Sequence, residues 1–213
     1  MHEGQRRALG RGLLALGSAL LLYCLCVWLD ARMFQGALAR RLDSFGRGGV
    51  HATPLRRASA SRREALASGL VGQIEIPRAG IRAMIVEGTT SGALQRGVRH
   101  VTGSAFPGEI GNVALAAHRD SYFARLGKVA VGDVIRLRTP DGTFAYRVDS
   151  ILIVAPDRGD LLRATRRPRL TLVTCYPFHW IGPAPRRYVV QALAVGGATP
   201  RPARSRAAGA APA

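Results

Sequence analysis

The sequence predicts an all-β domain, a barrel or sandwich with a few short helices, preceded by one N-terminal helix that spans a membrane. Three observations carry this. Seven or eight short apolar runs, rich in β-branched residues, are separated by turn signals at the spacing of an all-β fold. Residues 12–29 contain no charge, and at ~1.5 Å per residue they make about 27 Å of helix, enough for the hydrocarbon core of a bilayer. No glycine-rich phosphate loop, metal-ligand repeat or internal duplication interrupts the strand pattern. The 213 residues therefore divide into a cytoplasmic N-terminus (1–11), a transmembrane anchor (12–29), a tether (30–70), a folded domain (71–195) and a disordered tail (196–213).

Arg6, Arg7 and Arg11 precede the apolar span and favour an N-terminus held in the cytoplasm, although Arg32, Arg40 and Arg41 just beyond it weaken the asymmetry. Ala37, Leu38 and Ala39 form a small-residue pattern that a signal peptidase would accept. The apolar span nevertheless exceeds the usual cleaved core of about 7 to 15 residues, which favours an uncleaved anchor. Residues 32–70 are rich in Arg, Ala and Ser, with Gly46, Gly48, Gly49 and Pro54, a composition that predicts a flexible or partly helical tether. A short helix is expected at 61–70. The tail is Ala, Pro, Gly and Arg without periodicity.

The formal net charge is +18, and more than half of the excess lies outside residues 71–195. No zinc-finger spacing, RNA-binding aromatic signature or helix-turn-helix pattern accompanies it, so nucleic acid is not the expected partner. Attraction of the anchor and tether to anionic lipid headgroups is the better account, at about 1 kcal/mol per basic residue near the surface. Of the three cysteines, Cys24 and Cys26 lie in the apolar span as small hydrophobes. Cys175 stands alone in the part expected outside the membrane, where a structural cysteine would ordinarily have a partner.

Within the domain, residues 71–77 alternate with the period of a half-buried strand, Gly80 makes a turn, and 81–86 form the next strand. Residues 91–97 predict a helical turn. Residues 112–117 are a mainly apolar run that delivers His118 at its end, followed by a short helix or turn through Leu126. Strands at 133–138 and 143–154 are joined across Asp141-Gly142, a hairpin signal. A short helix at 159–164 crosses back to a strand at 171–174, which ends at Cys175. Pro177, Gly182, Pro183 and Pro185 force a constrained loop, and Arg187 opens the last strand.

The run TLVTC at 171–175 resembles the signature of sortases, the cysteine transpeptidases that attach proteins to surface amines. Arg187 falls where that family carries its arginine, and AAHRD at 116–120 matches its histidine frame, with Ala117 where many members have glycine. The YPF after the cysteine and the GPAPR before RYVV are similar to the class D type and related Gram-negative sortases. The resemblance covers about residues 71–195. It implies an eight-stranded sortase-type barrel outside the cytoplasmic membrane on a single-pass anchor. It also implies a protein substrate with an LPxTG-like C-terminal signal and an amine acceptor.

The residues support that chemistry. A cysteine attacks as thiolate, which a neighbouring cation assists. His118 is the expected acid and base, and Arg187 the expected donor to the oxyanion or the substrate backbone. Arg186 competes with Arg187, and strand alternation together with the family register favours Arg187. Thr174, Tyr176 and Asp120 are expected to touch substrate, although Asp120 equally suits a turn cap. Phe178 and Trp180 either wall a groove or pack a loop. His100 is expected in a loop as polar surface, and His179, in the Pro-rich loop, is a substitute base. No cofactor is expected, with calcium left undecided. The alternative from a different class is a non-catalytic envelope-binding module on the same barrel, which would not require Cys175, His118 and Arg187 together. L,D-transpeptidases also use cysteine, but in a Ser-x-Gly frame absent here.

Overall fold

The computed structural model describes residues 3–47, 65–88 and 97–196. A long helix, α1 (Glu3–Arg47), is followed by eight strands. These are β1 (Leu70–Ile76), β2 (Ile81–Glu87), β3 (Val98–His100), β4 (Asn112–Ala116), β5 (Val134–Thr139), β6 (Gly142–Val154), β7 (Arg169–Tyr176) and β8 (Arg186–Val195). They close into a barrel in the order β1-β2-β3-β4-β7-β8-β6-β5. The pairs β2–β3 and β4–β7 are parallel and the rest antiparallel. The pairings place the C-terminal ends of β1, β4, β6 and β7 and the N-terminal ends of β2, β3, β5 and β8 at one end of the barrel. His118 and Cys175 lie at this end.

Alternation along the strands fills the interior. Ile74 and Ile76, Val113 and Leu115, Ile135 and Leu137, Leu170 and Leu172, and Val190 and Ala192 are all buried in one cluster with Phe123, Leu126 and Tyr146. Burial at ~25 cal/mol per Å2 of apolar surface drives this arrangement. Between β1 and β2 a 3-10 turn at Pro77–Ala79 ends on Gly80, whose φ of 62° is the left-handed conformation glycine adopts without strain.

β2 is buried on both faces because α1 covers its outer side. The helix does not end where the apolar span does. It runs on through the first part of the expected tether, and Leu38 and Leu42, with Phe34 and Phe45, pack onto Ala65, Leu70, Met84 and Val86. Spacings of four, four and three put those side chains on one helical stripe, so of the flexible or partly helical tether that was expected, residues 34–45 are helical and docked. Gln35 Oε1 accepts the Met84 N–H at 2.8 Å, and Asp43 pairs with Arg138 at 2.7 Å.

β3 was not among the expected strands, since a three-residue run gives no period to read. Its His100 is not loop surface but buried at 1% exposure. His100 Nδ1 meets Glu87 Oε2 at 2.5 Å, its Nε2 meets the Ala105 carbonyl at 2.9 Å, and the ring stacks on Phe106. The expected helical turn at 91–97 falls, apart from Gly97, outside the described residues, as does the tail beyond Gly196. Of the helix expected at 61–70, one turn at 65–67 is described.

Candidate active site

Three neighbouring strands, β4, β7 and β8, carry the expected residues. β4 and β7 run in parallel with Ala116 opposite Val173, and the Ala117 N–H donates to the Val173 carbonyl at 3.3 Å. Extending that register by two residues brings His118 alongside Cys175. On the other side Cys175 pairs directly with Arg187, and residues opposite one another in an antiparallel pair project to the same face. Cys175 thus stands on the middle strand, flanked by His118 and Arg187.

All three point out of the barrel. Val113, Leu115 and Ala117, Leu170 and Leu172, and Tyr188 and Val190 belong to the interior cluster, so the alternate positions 114, 116, 118, 173, 175, 187 and 189 face outward. Ala114 and Ala116 keep the floor beside Cys175 low. The segment linking β6 to β7 lies across the same face further down. There Asn112 Nδ2 donates to the Leu161 and Arg163 carbonyls at 3.0 and 3.3 Å, and the Thr171 hydroxyl donates to Asn112 Oδ1 at 2.8 Å.

The β7–β8 loop closes the other side. It leaves Tyr176 through a cis peptide to Pro177. Phe178 then packs so closely on Gly127 that a Cβ at that position would lie 2.8 Å from its ring. Phe178, Tyr176 and Tyr188 form one aromatic cluster, with ring centroids 5.2 to 6.1 Å apart, and burial pushes the Tyr188 phenol above its ordinary ionisation range. Arg119, next to His118, reaches across the loop, and its Nη2 donates to the Trp180 carbonyl at 2.7 Å and the Gly182 carbonyl at 3.1 Å. Arg187 Nη1 donates to the Ala184 and Arg186 carbonyls, which steadies the guanidinium at the base of the same loop. A cavity of about 280 Å3 opens between this loop and the segment after His118, lined by Arg125, Lys128, Tyr176, Phe178 and His179 among others.

The six expected site residues separate accordingly. Cys175 and Arg187 are half-buried and His118 exposed, together at one end of one face. Asp120 is exposed in the turn that follows, closed by the Phe123 N–H donating to the His118 carbonyl at 3.1 Å. Thr174 is a correction. It is 3% exposed and on the opposite face from Cys175, with its hydroxyl donating to the Ala117 carbonyl at 2.8 Å, so it ties β4 to β7 and touches no groove. Tyr176 and Phe178 pack against the interior cluster while lining the cavity, whereas Trp180 and His179 are exposed. Sequence reading passed over Arg119 because its partners are backbone carbonyls 61 and 63 residues away, which no motif spacing encodes.

A family model described as "Sortase domain" matches residues 74–195. Sortase D of Bacillus subtilis (strain 168) is 38% identical over 120 residues, 56% of this chain and 61% of that protein. Sortase A of Bacillus anthracis is 28% identical over 131 residues, 60% of each. The chain thus spans about three fifths of the length of these relatives. Among solved structures, a Clostridium perfringens Sortase D5 transpeptidase superposes with a TM-score of 0.62 at 24% identity, covering 78% of this chain and 98% of that one. At that identity the likeness is one of fold.

Proposed function

The chain belongs to the sortase family, and from that premise we propose that it is a membrane-anchored cysteine transpeptidase that cleaves an LPxTG-like sorting signal and passes the acyl group to an amine. The observation that carries the reading is the placement of Cys175 between His118 and Arg187 on one outward face of three neighbouring strands. Binding alone requires no such trio.

In this reading the Cys175 thiolate attacks the carbonyl carbon of the threonine in the signal, forming a C–S bond. Guanidinium donors of Arg187 stabilise the charge that develops on the carbonyl oxygen. When the tetrahedral adduct collapses, the C–N bond breaks and protonated His118 supplies the proton the departing amine needs. A second amine then attacks the thioester, gives its proton to His118, and releases Cys175. Water in place of that amine would make the same site a hydrolase. The apolar stretch of α1, whose side chains are unburied, fits the anchor, and the resemblance favours a barrel outside the cytoplasmic membrane.

The test is mass spectrometry of the full chain in detergent, incubated with a library of LPxTG-like peptides and amines. Expected are a peptide cut at its threonine, a ligated product, and a thioester on Cys175 that is absent in Cys175→Ala. Undiminished ligation by Cys175→Ala would falsify the enzyme reading and favour the envelope-binding module.

A further inference from the structure

Outside α1, the exposed large apolar side chains are Ile110, Val131, Ile153, Trp180 and Ile181 among the described residues. Only Ile110 lies away from the barrel end that carries Cys175. Trp180 and Ile181, 47% and 101% exposed, tip the β7–β8 loop. Val131 precedes β5, and Ile153, next to last in β6, lies opposite Tyr188. Cations lie at the same end. Arg78 Nε donates to the Lys128 carbonyl at 3.3 Å, a Cβ at Gly80 would touch Arg125, and Arg186 is exposed at the start of β8. Of the carboxylates at this end, Asp133 is paired with Arg78 and Glu75 with Arg82, Asp120 sits beside His118, and Asp157, exposed three residues beyond β6, has Arg158 as its neighbour. An apolar tip bearing a tryptophan, with basic side chains at the same end of the barrel, has the composition of a membrane–water interface.

The course of α1 says which surface this is. The helix is docked with Gln35 at Met84 and Gly97, and Gln35 also hydrogen-bonds the Tyr122 side chain. Its later residues run toward Leu70, at the opposite end of the barrel. Its earlier, unburied apolar part therefore leaves past the end that carries Cys175. Trp28, with the Arg32 guanidinium 4.6 Å from its ring centroid, marks an interfacial pair at the close of the apolar span. From Gln35 back to Leu29 is about 9 Å of helix. From Met84 to Ile81, at the rim of the barrel, is about 10 Å of strand. These two lengths match, although α1 is inclined across the strands, since Asp43 pairs with Arg138 at the same level of the sheet as Met84.

We propose that this end of the barrel rests on the surface of the bilayer that α1 crosses, with Trp180 and Ile181 at headgroup depth and Arg78, Arg125, Lys128 and Arg186 against anionic headgroups. The site then opens along the lipid surface rather than away from it. The inference rests on reading α1 as a membrane anchor.

The test uses the full chain with Trp28→Phe, which leaves Trp180 as its one tryptophan, reconstituted in vesicles of phosphatidylcholine and phosphatidylglycerol. Flotation reports the anchor, and quenching of Trp180 by lipids brominated near the headgroup reports the docking. The expected result is a floating protein whose Trp180 emission is blue-shifted relative to detergent and quenched by bromolipid. Quenching should diminish in pure phosphatidylcholine and in Arg78→Glu/Lys128→Glu. A floating protein whose Trp180 is quenched by aqueous acrylamide and not by bromolipid overturns the docking while leaving the anchor. Shielding from both quenchers means that another protein or a second copy covers the loop, which also overturns it. A protein that does not float removes the anchor and the docking together.

Discussion

Adjacent residues on a strand face opposite ways, so Arg186 and Arg187 are separable by experiment. Arg187 shares the face of Cys175. Arg187→Ala is expected to lose about 100 to 1,000-fold in turnover, the usual cost of an oxyanion donor, whereas Arg186→Ala keeps near-normal turnover on a soluble peptide. The reverse result in steady-state kinetics would put the register wrong by one. The placement of Cys175, His118 and Arg187 at strand ends was legible from the sequence because each ends or opens a β-rich run, and the family resemblance singled them out. Thr174 and His100 were not, because what decides their roles is a partner across the sheet. The Ala117 carbonyl holds Thr174 and Glu87 meets His100. Tyr146 is similarly committed. Burial pushes its phenol up to about 12, against a hydrogen bond with the Gly108 backbone that acts the other way. The folded state therefore holds this proton above pH 10, where the unfolded chain releases it, so stability is unaffected below about pH 10 and falls as pH rises from about 10 to about 12. Denaturant titrations across that window are expected to show the loss, and Tyr146→Phe to flatten it.

Among the elements, α1 departs furthest from its sequence reading. The arginine-rich composition of residues 30–47 reads as a flexible or partly helical tether, and it conceals the stripe of Phe34, Leu38, Leu42 and Phe45 because only one helical face is apolar. Leu42 is 3% exposed, and Leu42→Ala is expected to cost about 2 to 5 kcal/mol, measurable as a lowered unfolding midpoint of the full chain in detergent. The same docking bears on processing. Leu38 lies in the middle of the small-residue pattern and is buried against the barrel at 7% exposure, so the segment is helical and covered where a peptidase would need it open. N-terminal sequencing of membrane fractions should find no chain beginning at Arg40. Finding one would show cleavage after Ala39.

For the whole molecule, the number of strands was close to readable from turn signals, but closure was not. It depends on β1 meeting β5 with Gln73 opposite Arg138, a pairing across 65 residues that local pattern cannot register, and only the family resemblance selected a barrel over a sandwich. Closure has a consequence for recognition. An open sheet can capture an extended peptide by adding it as one more strand, through main-chain hydrogen bonds that ignore side-chain identity. Here, among the described residues, every strand already has two neighbours, so no strand stands free as an edge. In the proposed reading, a peptide laid along the outer face of β4 and β7 must instead be gripped by side chains and by the borders of the groove, the segment after β6 and the Arg119-clasped loop after β7. Selectivity is thereby detached from the fold. Exchanging those two borders with a relative's is expected to move the preferred peptide sequence while the unfolding midpoint stays put, which peptide-library profiling of the chimeras would read directly.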